Sequence, residues 1–318
     1  MIITATFLQA GSFILTLILA VTGVALGQAR IGKAVIKAND MQPQIQPALT
    51  KVTIIAMGLS ETACILALTF IIIILYKAAP TGDQIIFSSI AYSGIIFALG
   101  ITGFAVSFCS SLPAVQATYA TARQPFFANK ILNVMLITMS IIQTPAIFGF
   151  IIMLLISLQV PALTSLYDAL RLFAAALCVG LGSIGPVIGQ GLFAQNACHI
   201  VGTNRKTYAR VLTFALLSQT LIETPIIIAL LVALLLLNVS NPSQLKIIAL
   251  IMASLCQSIS NFMPGISSGK TAAAACKQIG LPGVNAASIT GTSLLAQGFL
   301  DTFAIYGLLI SILLIYNT

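Results

Sequence analysis

One short sequence pattern recurs four times along the 318-residue chain and limits the possible folds more than any other feature. An acidic or amide residue is followed by threonine in each copy, as Glu61-Thr62, Gln143-Thr144, Glu223-Thr224 and Asp301-Thr302. Successive copies lie 82, 80 and 78 residues apart. A fixed period of this kind indicates one structural unit repeated in tandem. At a rise of ~1.5 Å per residue, each repeat can hold two long helices and a turn, so we predict four helical hairpins.

Composition places these hairpins in a membrane. Hydrophobic residues make up 59% of the chain and charged residues 6%, against about 45–50% and 25% in soluble proteins. The mean hydropathy is +1.09, and several apolar runs are long enough to span a bilayer. We therefore predict an all-α membrane protein with four tandem transmembrane hairpins. The eight predicted spans are 5–37, 49–77, 85–122, 127–159, 165–203, 207–238, 243–278 and 284–316.

The repeats divide the chain into four domains, each one hairpin. They cover residues 1–79, 80–160, 161–240 and 241–318, and in the second the carboxylate is replaced by Gln143. The segments between repeats, AAPTGDQ from residue 79 and VSNPSQ from residue 239, are short, polar and helix-breaking, which is typical of turns. The first residues contain no positively charged stretch and no clear cleavage site, so we expect no removable signal peptide.

The basic residues predict the orientation of the hairpins. Eleven of the fourteen Lys and Arg residues lie in or near the turns within hairpins, and only Lys77, Arg171 and Lys246 lie near the turns between them. Because cytoplasmic loops carry an excess of positive charge, we expect cytoplasmic hairpin loops and both termini on the outer side. The cations do not form a basic face with stacking aromatics, which argues against nucleic-acid binding.

Other residue types exclude several functions. The six cysteines lack CxxC spacing and histidine partners, so they are interpreted as small apolar packing residues. His199, beside a charged loop, is interpreted as an interfacial residue. The first helices of the hairpins are rich in glycine, most clearly in GLGSIGPVIGQG at residues 180–191. Small residues let membrane helices pack closely, and these helices are expected to have tight neighbours.

Three carboxylates are the candidate functional groups: Glu61, Glu223 and Asp301. Each lies near the middle of an apolar span, where a charge costs at least ~2.5–3.5 kcal/mol. Burial away from water favours the protonated form, and a bound cation with oxygen ligands would neutralise the group equally well. A carboxyl that only bonds to a neighbouring helix is the structural alternative, but three at one repeat position favour ion carriers.

Polar partners lie at a constant offset from these groups. Counting back 33 residues from Glu61 and Glu223 gives Gln28 and Gln190, and the same offset gives Ser110 for Gln143 and Ser268 for Asp301. If each hairpin brings the paired positions to one depth, a carboxylate, an amide oxygen and a threonine hydroxyl meet. Such oxygens suit a hard cation.

Two other classes of membrane protein match part of this pattern. A secondary transporter also uses intramembrane carboxylates, but this chain has no Trp for a stacking pocket, and its repeats are direct where many transporters use inverted ones. A fusion or pore-forming proteolipid without rotary work is the other alternative. The chain has no GxxxxGK[ST] loop, so ATP chemistry is expected in partners and the chain is expected to be non-catalytic.

The hairpins resemble the proteolipid, or c subunit, of rotary ATP synthases and ATPases. The resemblance rests on GPVIGQG at 185–191, on IETPIIIALLVALLLL at 222–237, and on the loop ATARQP at 120–125. It implies a rotor ring made with copies of the chain or other proteolipid subunits. Surrounding lipid, a stator subunit with an essential arginine, and central-stalk subunits are the other implied partners.

The resemblance also bears on the ion. In sodium-carrying members a glutamine and glutamate of one hairpin meet a hydroxyl from the neighbouring hairpin. That pattern implies Na⁺ in preference to H⁺, with ligands at Gln28, Glu61, Thr62, Thr144, Gln190, Glu223, Thr224, Ser268, Asp301 and Thr302. Tyr306 resembles a tyrosine that stabilises the carboxylate in such sites. Gln143 cannot ionise, so three cations are expected per four hairpins, which would lower the ion-to-ATP ratio.

Overall fold

The computed structural model describes residues 2–77 and 84–317, and no strand occurs within these two ranges. The helices are α1 (Ile2–Met41), α2 (Gln46–Leu75), α3 (Gln84–Ser93), α4 (Thr102–Arg123), α5 (Ala128–Ile142), α6 (Thr144–Gln159), α7 (Leu166–Thr203), α8 (Tyr208–Leu237), α9 (Gln244–Ile279) and α10 (Ala286–Tyr316). Together they form eight helical segments long and apolar enough to cross a membrane. The all-α architecture of four hairpins is confirmed. The boundary predicted at 79/80 lies outside the described residues.

Two of the predicted spans are interrupted in the second hairpin. A π-helical segment, Ile96–Ile101, separates α3 from α4, and the Thr102 hydroxyl donates to the Phe97 carbonyl five residues earlier. The second break is at Gln143, between α5 and α6. Pro145 has no N–H to donate to the Ile141 carbonyl, and the Thr144 hydroxyl donates to that carbonyl instead at 2.8 Å. The proline thus accounts for the second break.

The hairpins pack side by side in chain order as two layers. The first helices form one layer, in which α1 packs on α4, α4 on α7 and α7 on α9. The second helices α2, α5–α6, α8 and α10 form the other. Large exposed apolar side chains are numerous on α1, α2 and α10, whereas α4 has none. Hairpins 1 and 4 therefore form the two ends of a row.

Glycines allow the first helices to approach one another. A methyl group on Gly185 would overlap the Phe262 carbonyl, and one on Gly189 would overlap the Gly265 carbonyl. Gly269 faces the Gly189 backbone in turn. The close packing predicted for this segment is confirmed, and it brings α7 and α9 into backbone contact. At Gly11, by contrast, no atom lies within 4 Å of the position that a Cβ would take.

The turns within the first three hairpins share one conformation despite different sequences. Each places an extended residue, Gln42, Gln124 or Asn204, before one turn of 3₁₀-helix. The fourth turn differs, with Gly283 at a φ of 75°. A positive φ is readily adopted only by glycine, so the sequence GLPG specifies a separate turn.

The three basic residues at the opposite end contact C-terminal helix carbonyls. Lys77 Nζ donates to the Ser157 carbonyl near the end of α6 at 3.0 Å. Arg171 donates to the Leu237 carbonyl at the end of α8, and Lys246 to the Ile315 carbonyl at the end of α10. Such carbonyls lack partners inside the helix and carry partial negative charge. These cations therefore neutralise helix ends within the protein.

Candidate ion-binding sites

Hairpin 1 forms the pair predicted from the 33-residue offset. Gln28 Nε2 donates to Glu61 Oε1 at 2.6 Å. An amide donor of this kind stabilises the ionised carboxylate. Glu61 is exposed because α2 lies at the end of the row, with no preceding hairpin in this chain to cover it.

Hairpin 2 retains the geometry of the pair without its acid. Gln143 Nε2 donates to Ser110 Oγ at 2.9 Å, which is the predicted offset. Gln143 Oε1 accepts a hydrogen bond of 2.7 Å from the Thr62 hydroxyl of hairpin 1. The threonine after the acid in one hairpin thus reaches the acid position of the next.

Hairpin 3 repeats this neighbour contact but not the amide pair. The Thr144 hydroxyl lies in hydrogen-bonding contact with Glu223, which is half-buried. Gln190 makes no hydrogen bond to Glu223. It is fully buried, and neither Oε1 nor Nε2 has a hydrogen-bond partner among the described residues. A buried amide without a partner costs free energy, and its oxygen is free to coordinate a cation.

Hairpin 4 departs furthest from the sequence expectation. Asp301 is 6% exposed, and its Oδ1 has no hydrogen-bond partner in the described part of the chain. Ser268 donates not to Asp301 but to Gln297 Oε1, at 3.4 Å. The Thr224 hydroxyl donates to the Thr220 carbonyl of its own helix.

The hydroxyls of Thr302 and Tyr306 also lie away from Asp301. Thr302 belongs to the last hairpin and donates to the Phe299 carbonyl. Tyr306 is 62% exposed and packs edge-on against Phe303. At about 100° per residue, a position five residues along a helix is turned well away from the starting side chain. The tyrosine contact with the carboxylate is therefore not formed in this structure.

Sequence reasoning missed several buried polar residues near the sites. Gln219 and Gln297 each lie four residues before an acid and are fully buried. Gln219 donates to the Thr138 carbonyl of hairpin 2 at 3.2 Å. Asn261, also fully buried, donates to the Pro225 carbonyl at 2.7 Å. The uncharged amides within apolar helices, two of them four residues before an acid, were the available signal.

The fold and these contacts define a class of protein: a membrane proteolipid of tandem helical hairpins whose acid positions lie between neighbouring hairpins. Sequence comparison then identifies the family. The profile of the ATP synthase C subunit matches residues 173–236 and 251–314. The chain belongs to the ATP synthase c subunit family, whose members are membrane rotor components.

Individual relatives cover one hairpin or several. The ATP synthase c subunit of Chloroflexus aurantiacus is 36% identical over 66 residues, 21% of this chain and 87% of the relative. The Prochlorococcus marinus protein of that name is 40% identical over 78 residues, 24% of this chain and 95% of the relative. The A-type ATP synthase K subunit of Methanocaldococcus jannaschii is 27% identical over 223 residues, 70% of this chain and 93% of the relative.

Proposed function

We propose that this rotor subunit transports Na⁺, in preference to H⁺, on Glu61, Glu223 and Asp301. The observation that carries the proposal is the contact pattern at the acid positions. An amide of the first helix bonds to Glu61, and a threonine hydroxyl arrives from the preceding hairpin at Gln143 and Glu223. Carboxylate, amide and hydroxyl oxygens together suit a hard monovalent cation.

The proposed transport cycle uses burial to keep each site neutral. A carboxylate that holds a cation crosses the lipid-facing part of the ring without an exposed charge. It releases the ion where a stator arginine and water stabilise the ionised form. Each cation that crosses the full field gains about 2.3 kcal/mol per 100 mV, which drives rotation. The chain is then the non-catalytic, ion-translocating part of the complex.

Ring closure follows from the ends of the row. Glu61 has no preceding hairpin within the chain, and Thr302 has no following one. If the ring is built from copies of this chain, Thr302 of one copy supplies the hydroxyl for Glu61 of the next. The exposed apolar residues of α1, α2 and α10 support this arrangement, because such surfaces favour lipid or another protein chain.

The distribution of charge supports cytoplasmic hairpin loops and outer termini. The three cations at the outer end are engaged with helix carbonyls, whereas the eleven at the other end set the orientation. An open cleft of about 560 Å³ lies there between the turns of hairpins 2 and 3. Arg123, Arg205 and the fully exposed Phe126 line it. This end is suited to acidic and apolar groups of a central stalk.

The choice of ion can be tested with the assembled complex in sealed vesicles. We expect ATP-driven uptake of ²²Na⁺ that continues, or accelerates, when a protonophore removes the proton gradient. Uptake of Na⁺ that stops with the protonophore, together with ATP-driven acidification in Na⁺-free buffer, would identify H⁺ as the carried ion and overturn the sodium assignment.

A further inference from the structure

The fourth hairpin lacks the first-helix amide but contains another amide at its site. Ser268 occupies the position of Gln28 and Gln190. On α10, Gln297 lies four residues before Asp301 and is fully buried. Residues four apart on a helix lie on one face, about 5–6 Å apart at Cβ, so Gln297 shares the face of the carboxylate.

Hydrogen bonds hold Gln297 in a fixed orientation. Its Oε1 accepts from Ser268 Oγ at 3.4 Å. Its Nε2 donates to Ser293 Oγ at 3.1 Å and, across the hairpin boundary, to Ser218 Oγ at 3.3 Å. The donors of the amide are thereby used, and its oxygen faces Ser268, the residue placed in register with the acid. Asp301 Oδ1 is buried in the same hairpin without a partner among the described residues.

Comparison of the repeats gives a consistent pattern. The position four residues before the acid holds methionine in hairpins 1 and 2 (Met57 and Met139) and glutamine in hairpins 3 and 4. Every hairpin with a carboxylate therefore has an amide at one or both of the two positions. Hairpin 2, which has no carboxylate, has an amide at neither. The amide accompanies the acid, on one helix or the other.

We propose that Gln297 is the amide ligand of the Asp301 site, contributed by the helix of the acid itself. Gln297 Oε1, Ser268 Oγ and Asp301 Oδ1 form a set of oxygens for one cation. Ser218 and Ser293 hold the amide so that its oxygen faces the site. This inference rests on the proposed ion-carrying function of Asp301, and it makes hairpin 4 a site with a different ligand arrangement from hairpins 1 and 3.

The test uses the assembled complex and a carbodiimide that labels protonated buried carboxyls. Mass spectrometry follows labelling at Glu61, Glu223 and Asp301 as the concentration of NaCl and the pH are varied. We expect Q297M to raise the half-protecting Na⁺ concentration at Asp301 by about tenfold or more, the value of one hydrogen bond to a charged group. Glu61 and Glu223 should be unaffected. Methionine is a suitable replacement because Met57 and Met139 occupy the equivalent positions.

Two further variants separate a ligand from a packing residue. Q219M makes the same exchange in hairpin 3, where Gln190 remains, and is expected to leave Na⁺ protection of Glu223 unchanged. S268Q combined with Q297M returns the amide to the first helix and is expected to restore protection of Asp301. If Q297M does not assemble, Q297N keeps the amide but withdraws it by one methylene, and it should weaken protection at Asp301 alone.

The outcomes distinguish this inference from the proposed function. If Na⁺ protects Glu223 and its protection of Asp301 is unchanged in Q297M or Q297N, the role of Gln297 is wrong. If Na⁺ protects none of the three, sodium transport is wrong, and the pH at half-labelling decides the role of Gln297. A shift to higher pH in Q297M, confined to Asp301, supports it, because the carboxylate has lost a polar partner; an unchanged pH refutes it.

Discussion

At the scale of single residues, each site is assembled from two hairpins. The acid position belongs to one hairpin, and the threonine that reaches it belongs to the hairpin before. This contact is formed twice within the chain, by Thr62 with Gln143 and by Thr144 with Glu223. A rotor made of separate hairpins would form it between chains, whereas fusion places most such contacts inside one polypeptide.

The threonine contact gives a direct residue-scale prediction. T144A removes the hydroxyl from Glu223 and should raise the Na⁺ concentration that half-protects Glu223 from carbodiimide by about tenfold. Asp301 should be unaffected. T220A is the matched control, because Thr220 lies on the helix of the acid itself and bonds only to its own turn within the described residues. Equal effects of T144A and T220A at Glu223 would contradict the assignment.

The 33-residue offset predicted part of the side-chain pairing. It placed Gln28 with Glu61 and Ser110 with Gln143, and both hydrogen bonds are formed. It failed for Ser268, because an offset gives depth along a hairpin but not which neighbouring polar group competes for a hydrogen bond. Gln297 is that competitor, and only the packing of α9 on α10 reveals it.

At the scale of helices, hydropathy and the repeat period were sufficient to predict the spans. Eight long apolar helices follow from the cost of leaving backbone groups unpaired in lipid. The interruptions were not predicted, because the π-helical segment Ile96–Ile101 has no distinct hydropathy. Glycine positions indicated tight packing, but the choice of partners, such as Gly189 with Gly265, depends on the rotation of both helices.

The contact between α7 and α9 makes G189A an element-scale prediction. The added methyl would overlap the Gly265 carbonyl, and such overpacking costs about 1–3 kcal/mol. We expect the detergent-solubilised complex to lose its ring at a lower temperature, measured by the appearance of free subunit on gels after heating. G58A is the control, since nothing lies within 4 Å of the Cβ position at Gly58. A dissociation temperature equal to that of G58A would argue against this packing.

At the scale of the whole molecule, the chain is a row of four hairpins with three carboxylates. Both ends of the row offer half of a site: Glu61 lacks a neighbouring threonine, and Thr302 lacks a neighbouring acid. A closed ring of identical copies would complete every site. The natural loss of the carboxylate at position 143 lowers the number of ions carried without interrupting the contacts between hairpins.

Ring composition can be tested through Thr302. In a ring of identical copies, T302A should weaken Na⁺ protection at Glu61 and leave Asp301, in its own hairpin, unchanged. T292A is the control, because the Thr292 hydroxyl is exposed and donates to the Ser288 carbonyl of the same helix. If Glu61 responds identically to both variants, a different protein must lie next to hairpin 1.

Restoring the missing carrier should change the coupling ratio. The double variant S110Q/Q143E recreates the pair of hairpin 1 and gives four carriers per chain instead of three. We expect the number of ions moved per ATP hydrolysed to rise by about a third if each buried carboxylate carries one cation. S110Q alone is the control and should leave the ratio unchanged. A ratio that does not rise in an assembled double variant would contradict one ion per carboxylate.

The most direct measurement for the whole account is the number and position of carbodiimide adducts on the intact chain. The six acidic residues include three outside the proposed sites, Asp40, Asp83 and Asp168, which serve as internal controls. We expect up to three adducts per chain at moderately acidic pH, on Glu61, Glu223 and Asp301, with a loss of ATP-driven transport that follows labelling. Adducts confined to the three control residues, or undiminished transport by a fully labelled complex, would contradict the claim that the buried carboxylates carry the ions.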